Sequence, residues 1–176
     1  MDGARLFNAS TAQRKSVKDI VENIDSVTFC LSKGLSCPIG SIISGSKSFI
    51  SEARRWRKSI GGGMRQAGVI AAAGIYALNN MVGRLEEDHV NAKNLAIGLS
   101  KIPEIIIDTE YVKTNILRFE LTDKIKLKEF ESELKKEGIV FNSSYGSIRM
   151  VTHYGITSKD IDKVIEKTTK AVKNLS

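Results

Sequence analysis

Val27-Thr28-Phe29-Cys30-Leu31-Ser32-Lys33-Gly34-Leu35 is the stretch on which the reading of this chain turns. Its first five residues form an apolar run short enough to be a buried strand. The absence of alternation predicts a parallel sheet covered on both faces. A lysine at the mouth of such a strand, beside a glycine turn, is well placed for Schiff-base chemistry. Upstream, Ser16 precedes Val17, Ile20, Val21 and Ile24, which predicts an amphipathic helix with a capping serine, ended by Asp25-Ser26. Asp2-Gly3-Ala4-Arg5 lies one strand–helix–strand step before the lysine. Downstream, Gly34 and Pro38 punctuate a turn, and Gly40 to Ser44 reads as a second short strand. This order of elements predicts an α/β fold.

Ser46 can cap a helix whose apolar side is Phe49, Ile50, Ala53, Trp56 and Ile60, with Arg54, Arg55, Arg57 and Lys58 opposite. Gly61-Gly62-Gly63 breaks it. The helix predicted over 65–82 is nearly all small or apolar, and such a helix should be buried in a core or at a subunit interface. A more polar helix then carries Leu85, His89, Ala92, Leu95, Ala96 and Leu99 on one side and ends at Lys101-Ile102-Pro103. Beyond it the pattern changes. Strands are predicted at 104–107, 112–120, 139–142 and 147–152, a charged helix at 124–137, and a capped helix from Thr157-Ser158 to Lys173. Residues 86–176 thus read as a small α+β domain following a first domain of residues 1–85.

Composition narrows the function classes. Apolar residues make up 41% and charged residues 27% of the 176, an ordinary globular balance. The longest mostly apolar stretch, Ala67 to Leu78, falls short of the roughly 20 residues a membrane span needs. Cys30 and Cys37 match neither a zinc pair nor a redox Cys-x-x-Cys, so no metal is expected, and reduced thiols suit a cytoplasmic protein. The net charge of +7 could serve an anionic partner. The lysines are scattered, however, and no basic stripe carries interleaved aromatics, so a nucleic-acid partner is not expected. No phosphate loop of P-loop or G-x-G-x-x-G type is present.

Singly, Lys33, the Asp2–Arg5 pair and the triple glycine are weak signals, and His89 reads as packing or surface. In combination they resemble a known family. Asp2-Gly3-Ala4-Arg5-Leu6-Phe7-Asn8-Ala9, Ser32-Lys33-Gly34-Leu35, Pro38-Ile39-Gly40-Ser41, Arg54-Arg55-Trp56-Arg57-Lys58, Gly61-Gly62-Gly63-Met64-Arg65-Gln66-Ala67-Gly68, Glu87-Asp88-His89 and Arg149-Met150-Val151-Thr152-His153 resemble the threonine aldolases, in order and at that family's spacing. These are fold-type I pyridoxal-phosphate enzymes, near the aromatic amino acid β-eliminating lyases.

The resemblance implies the carboxyl-terminal part of a fold-type I large domain followed by the small domain. It implies pyridoxal 5'-phosphate held by Lys33, with Asp2 at the pyridine nitrogen and Arg5 at the ring or its 3-oxygen. Burial near a cationic system would hold the lysine's pKa down. Arg149 would clamp the substrate carboxylate with its planar fork, and Arg65 would assist. Lys58 would line the cofactor or substrate site, with a placement across a dimer interface as one arrangement the resemblance allows. His153 is an acid–base candidate at the substrate. The implied reaction is retro-aldol cleavage of L-threonine or L-allo-threonine to glycine and acetaldehyde, in a homodimer or homotetramer acting on a small amino acid.

The first half of such an enzyme would supply a phosphate-binding Gly/Ser/Thr loop and a histidine that stacks on the ring. Neither is encoded here, so the chain is expected to be a carboxyl half. Two other readings predict different behaviour. A non-catalytic fragment would pair with a full-length homologue through the Ala67–Gly74 helix, and a basic nucleic-acid-binding domain would show salt-dependent affinity.

Overall fold

The computed structural model describes all residues, Met1–Ser176. The chain divides into two compact units, Met1–Leu85 and Glu86–Ser176.

In the first unit, α1 (Leu6–Gln13) and α2 (Val17–Ile20) precede β1 (Ser26–Cys30). Ser16 caps α2 through a capping box with Asp19, as its position before the apolar residues requires. The helix is much shorter than its periodicity predicts. Val21 ends it, and the Ile24 N–H reaches back only to the Val21 carbonyl.

β1 carries the main correction to the sequence reading. It pairs with β2 (Ser41–Gly45) in antiparallel register, Phe29 opposite Ile42 and Thr28 opposite Ile43. The connection between them contains no helix. It closes through Leu31 N–H to Gly40 O (2.9 Å) and Cys37 N–H to Leu31 O (3.0 Å). A return this short cannot make the crossover that a parallel pair needs. Parallel pairing survives at one point, the bridge between Asp2 and Thr28, which spans α1 and α2. β1 itself is covered in part, with Val27 buried and the other four residues half-buried, whereas every residue of β2 is exposed.

α3 (Lys47–Ser59) begins at Ser46, whose Oγ accepts the Phe49 N–H at 3.3 Å. α4 (Gly68–Asn80) departs from the burial expected of it. Only Gly74 and Ala77 are buried, while Val69 is 81% and Tyr76 64% exposed. One face of α4 packs on the β1–β2 connection. A Cβ at Gly74 would lie 3.0 Å from Leu31 Cδ1, and the Cys37 thiol donates to the Ala73 carbonyl at 3.4 Å. The unit's core is small: Leu31, Leu35, Cys37 and Ala77, with Phe7 and Phe29 edge to face at 5.2 Å.

The second unit holds most of α5 (Leu85–Leu99), then β3 (Ile105–Ile106), β4 (Ile116–Leu121), α6 (Leu127–Lys136), β5 (Asn142–Ser144), β6 (Ser147–Val151) and α7 (Ser158–Leu175). The sheet is antiparallel throughout, in the order β3-β4-β6-β5. Leu117 and Phe119 of β4 and Ile148 and Met150 of β6 alternate into one core with Leu95, Leu99, Phe130 and Leu134. The strand expected at 139–142 instead begins at Asn142. Tyr145 and Gly146 both have positive φ (50° and 81°), the tight hairpin turn that fixes the register of β5 on β6. α7 is capped by the reciprocal pair Thr157 and Asp160.

Candidate active site

Asp2 lies beside β1 because the strand ladder puts it there. The Gly3 N–H donates to Thr28 O at 2.8 Å and the Thr28 N–H to Met1 O at 3.1 Å. The Asp2 carboxylate is exposed, and its Oδ1 accepts the Ala4 N–H at 3.1 Å. Arg5 follows at the start of α1, half-buried. β1 then leads through Leu31 and Ser32 to Lys33. The backbone after the lysine is tied down by Ser36 N–H to Lys33 O at 2.9 Å. Gly34 allows a close approach that the sequence did not reveal: a Cβ there would fall 2.4 Å from Oδ1 of the buried Asn8. Lys33 itself is exposed, so these residues do not supply the burial expected around its amine.

Lys58 sits in the last turn of α3, and the triple glycine folds back on it. A Cβ at Gly63 would lie 2.9 Å from Lys58 Cδ. Arg65 follows two residues later, and both cations are exposed.

The second unit carries Arg149 and His153. Arg149 is half-buried in the middle of β6, on the face opposite the core, flanked by Arg118 on β4 and Asn142 on β5. His153 is exposed, and its Nδ1 lies 2.8 Å from the Tyr154 carbonyl. A carbonyl only accepts, so in the neutral ring the proton sits on Nδ1 and Nε2 presents a lone pair.

Behind this strand end lies a buried polar network that the sequence motifs only partly signalled. Thr152 Oγ1 donates to Asp88 O at 2.6 Å, Asn115 Nδ2 to Thr152 O at 2.8 Å, and Asn91 Nδ2 to Ile156 O at 3.0 Å. Thr152 and Asn115 are each 2% exposed. The network fixes where β6 ends and therefore where His153 begins. His89 is buried beside it, and burial lowers its pKa against the raising effect of Glu86 and Asp88.

Solved structures with the same fold include a Listeria monocytogenes chain described as an L-allo-threonine aldolase (TM-score 0.77, 22% identity, 97% of this chain and 51% of that one). A Sphingomonas wittichii serine palmitoyltransferase also matches (TM-score 0.71, 17% identity, 89% and 42%). The architecture is that of the fold-type I pyridoxal-phosphate enzymes. Residues 1–122 match the family described as beta-eliminating lyase, and the chain belongs to that family. Curated relatives include low-specificity L-threonine aldolase 1 of Arabidopsis thaliana, 43% identical over 92% of this chain and 46% of the relative. The low specificity L-threonine aldolase of Escherichia coli K12 is 42% identical over 93% and 48%. The chain thus spans about half the length of the curated relatives it matches.

The donor set fits the family's cofactor, pyridoxal phosphate. An exposed carboxylate and an exposed primary amine stand on adjoining backbone segments of one unit, an acid for a pyridine nitrogen and an amine for an aldehyde. No group of three or more His, Cys, Asp or Glu side chains could hold a metal ion, and no helix is long and apolar enough to cross a membrane.

Proposed function

We propose that this chain is the part of a pyridoxal-phosphate-dependent aldehyde-lyase that carries the cofactor lysine and the substrate-carboxylate arginine. The complete enzyme cleaves L-threonine or L-allo-threonine to glycine and acetaldehyde. The observation that carries this reading is the Asp2–Thr28 bridge, which sets a carboxylate beside the strand leading to Lys33. It is supported by the match to threonine aldolases of known name over more than nine-tenths of the chain.

Bound there, pyridoxal phosphate supplies the electron sink that lets a Cα–Cβ bond break. Lys33 holds the cofactor through its ε-amine. Asp2 would pair with the pyridine nitrogen and favour its protonated form, and Arg5 would hold the ring or its 3-oxygen. Arg149 takes the amino acid's carboxylate in a two-pronged hydrogen bond and so orients the Cα–Cβ bond. Arg65 assists at that carboxylate, and Lys58 lines the cofactor or substrate site. His153 Nε2 has the free lone pair needed to accept the β-hydroxyl proton as the aldehyde departs. We place the protein in the cytoplasm, as a homodimer or homotetramer whose shared sites Lys58 helps to complete.

The test is acetaldehyde release from L-threonine and L-allo-threonine by the protein purified from its source, with glycine formed in equal amount. Loss of release in Lys33→Ala supports the proposal. Turnover unchanged in Lys33→Ala overturns it.

A further inference from the structure

β4 and β6 place Arg118 directly opposite Arg149. The Thr152 N–H donates to Asn115 O at 3.0 Å, which makes Asn115 and Thr152 a hydrogen-bonded pair of the same ladder. Hydrogen-bonded and non-hydrogen-bonded pairs alternate along an antiparallel ladder, so three residues further on Arg118 and Arg149 form a non-hydrogen-bonded pair. In such pairs the side chains approach most closely. Leu117, Phe119, Ile148 and Met150 point into the core, so both arginines stand on the other face of the sheet. On the far side of Arg149, Asn142 of β5 occupies the same row. One register line across three strands therefore carries guanidinium, guanidinium and carboxamide.

Like charges directly opposite each other destabilise a strand pair. Here neither arginine takes part in an ion pair within the chain. The unit's ion pairs include Lys93 with Glu110, Lys126 with Glu129, Lys136 with Glu133 and Lys167 with Glu137. Even Glu120, on the same strand face as Arg118, is not paired with it. Two arginines at directly opposed register positions on one sheet face, neither in an ion pair, offer two planar forks to an anion with two oxygens in a plane.

We infer that Arg118 is a second carboxylate-binding residue, sharing with Arg149 the carboxylate of the amino acid substrate. Arg149 supplies the main fork and Arg118 the second, with the Asn142 amide as a further donor at the edge. This rests on the reading that Arg149 binds the substrate carboxylate, and extends it to a residue that no sequence motif singled out. Arg118 would raise affinity for the amino acid without taking part in proton transfer.

The experiment is a titration of the full chain with glycine, following the Nε–Hε resonances of ¹⁵N-labelled arginine, with chloride at equal ionic strength as the control. The Arg118 and Arg149 resonances are expected to shift along one curve with glycine and not with chloride. Arg118→Gln should weaken the Arg149 response roughly tenfold, and Arg118→Lys should recover part of it. Arg14→Gln, on the other unit, should change nothing. A backbone amide spectrum of each variant matching the unaltered chain shows that the sheet is intact. If Arg149 titrates with the same affinity in Arg118→Gln, the inference about Arg118 is overturned while the role of Arg149 stands. If neither resonance responds to glycine, the carboxylate reading of Arg149 fails and the inference falls with it.

Discussion

Asp2 and Thr28 are joined by a parallel bridge, the Gly3 N–H on Thr28 O and the Thr28 N–H on Met1 O. The same ladder that fixes Asp2 also fixes the strand from which Lys33 emerges. Asp2→Asn keeps the shape and the Ala4 N–H acceptor but removes the charge that would hold a proton on the pyridine nitrogen. In the active protein it should lower turnover by about 10²- to 10³-fold with the far-ultraviolet circular dichroism unchanged. Steady-state kinetics beside that spectrum checks it. Unchanged turnover would remove Asp2 from the site.

The contact between α5 and α7 leaves no room at Gly98. A Cβ there would meet Ile165 Cδ1 at 2.2 Å and Cγ1 at 2.6 Å, too much of the side chain to swing aside. Gly98→Ala should cost about 1–3 kcal/mol by overpacking, read from urea unfolding. Because the two residues share one contact, adding Ile165→Ala to Gly98→Ala should cost less than Ile165→Ala alone.

His89 gives the fold a dependence on pH. Its folded pKa is lowered, chiefly by burial, so the folded state favours the neutral ring while the unfolded chain protonates near 6.5. The stabilisation is complete above that value and is lost as pH falls below it toward the folded pKa. Between about pH 7.5 and about pH 5.5 the melting temperature should fall further for the unaltered chain than for His89→Gln. Equal falls would contradict this. The lowered pKa values of Asp160, hydrogen-bonded to Thr157, and Glu137, hydrogen-bonded to Lys167, act at more acid pH, in the carboxylate range.

The first unit exposes large apolar side chains on β2, α3 and α4. Ile43 of β2, Trp56 and Ile60 at the end of α3, and Val69, Ile75 and Tyr76 of α4 are all exposed, Ile60 at 79%. Surfaces of this kind mark interfaces or aggregation sites. The chain on its own should bind the dye ANS strongly and self-associate with rising concentration. Light scattering from a monodisperse monomer without dye binding would show that this surface is covered some other way.

Local signals in the sequence were legible where one residue's chemistry decides them. Ser46 and Thr157 cap helices because their hydroxyls reach the exposed N–H groups of the first turn. The strands expected at 112–120 and 147–152 are present as β4 and β6, and in the structure Leu117, Phe119, Ile148 and Met150 alternate into the core. What failed depended on partners distant in sequence. An apolar run such as Val27–Leu31 does not say which strand lies beside it, and only the helix-free return to Ser41 made the pairing antiparallel. The composition of α4 pointed to a core or a subunit interface, and within this chain the core covers only Gly74 and Ala77. The hairpin register was set by Tyr145 and Gly146 rather than by the apolar Ile139-Val140-Phe141. Motif spacing singled out Lys33 and Arg149, whereas the pairing of Arg118 with Arg149 follows only from strand register.

The most direct test of the central claim is to map where pyridoxal phosphate attaches. The protein is incubated with the cofactor, reduced with borohydride and digested, and the modified lysines are located by mass spectrometry. The adduct is expected on the peptide containing Lys33, enriched far above the other exposed lysines, and absent from that position in Lys33→Ala with no other site gaining it. An adduct spread over the surface lysines, with Lys33 no more modified than the rest, would contradict the assignment of this chain as the cofactor-bearing part of the enzyme.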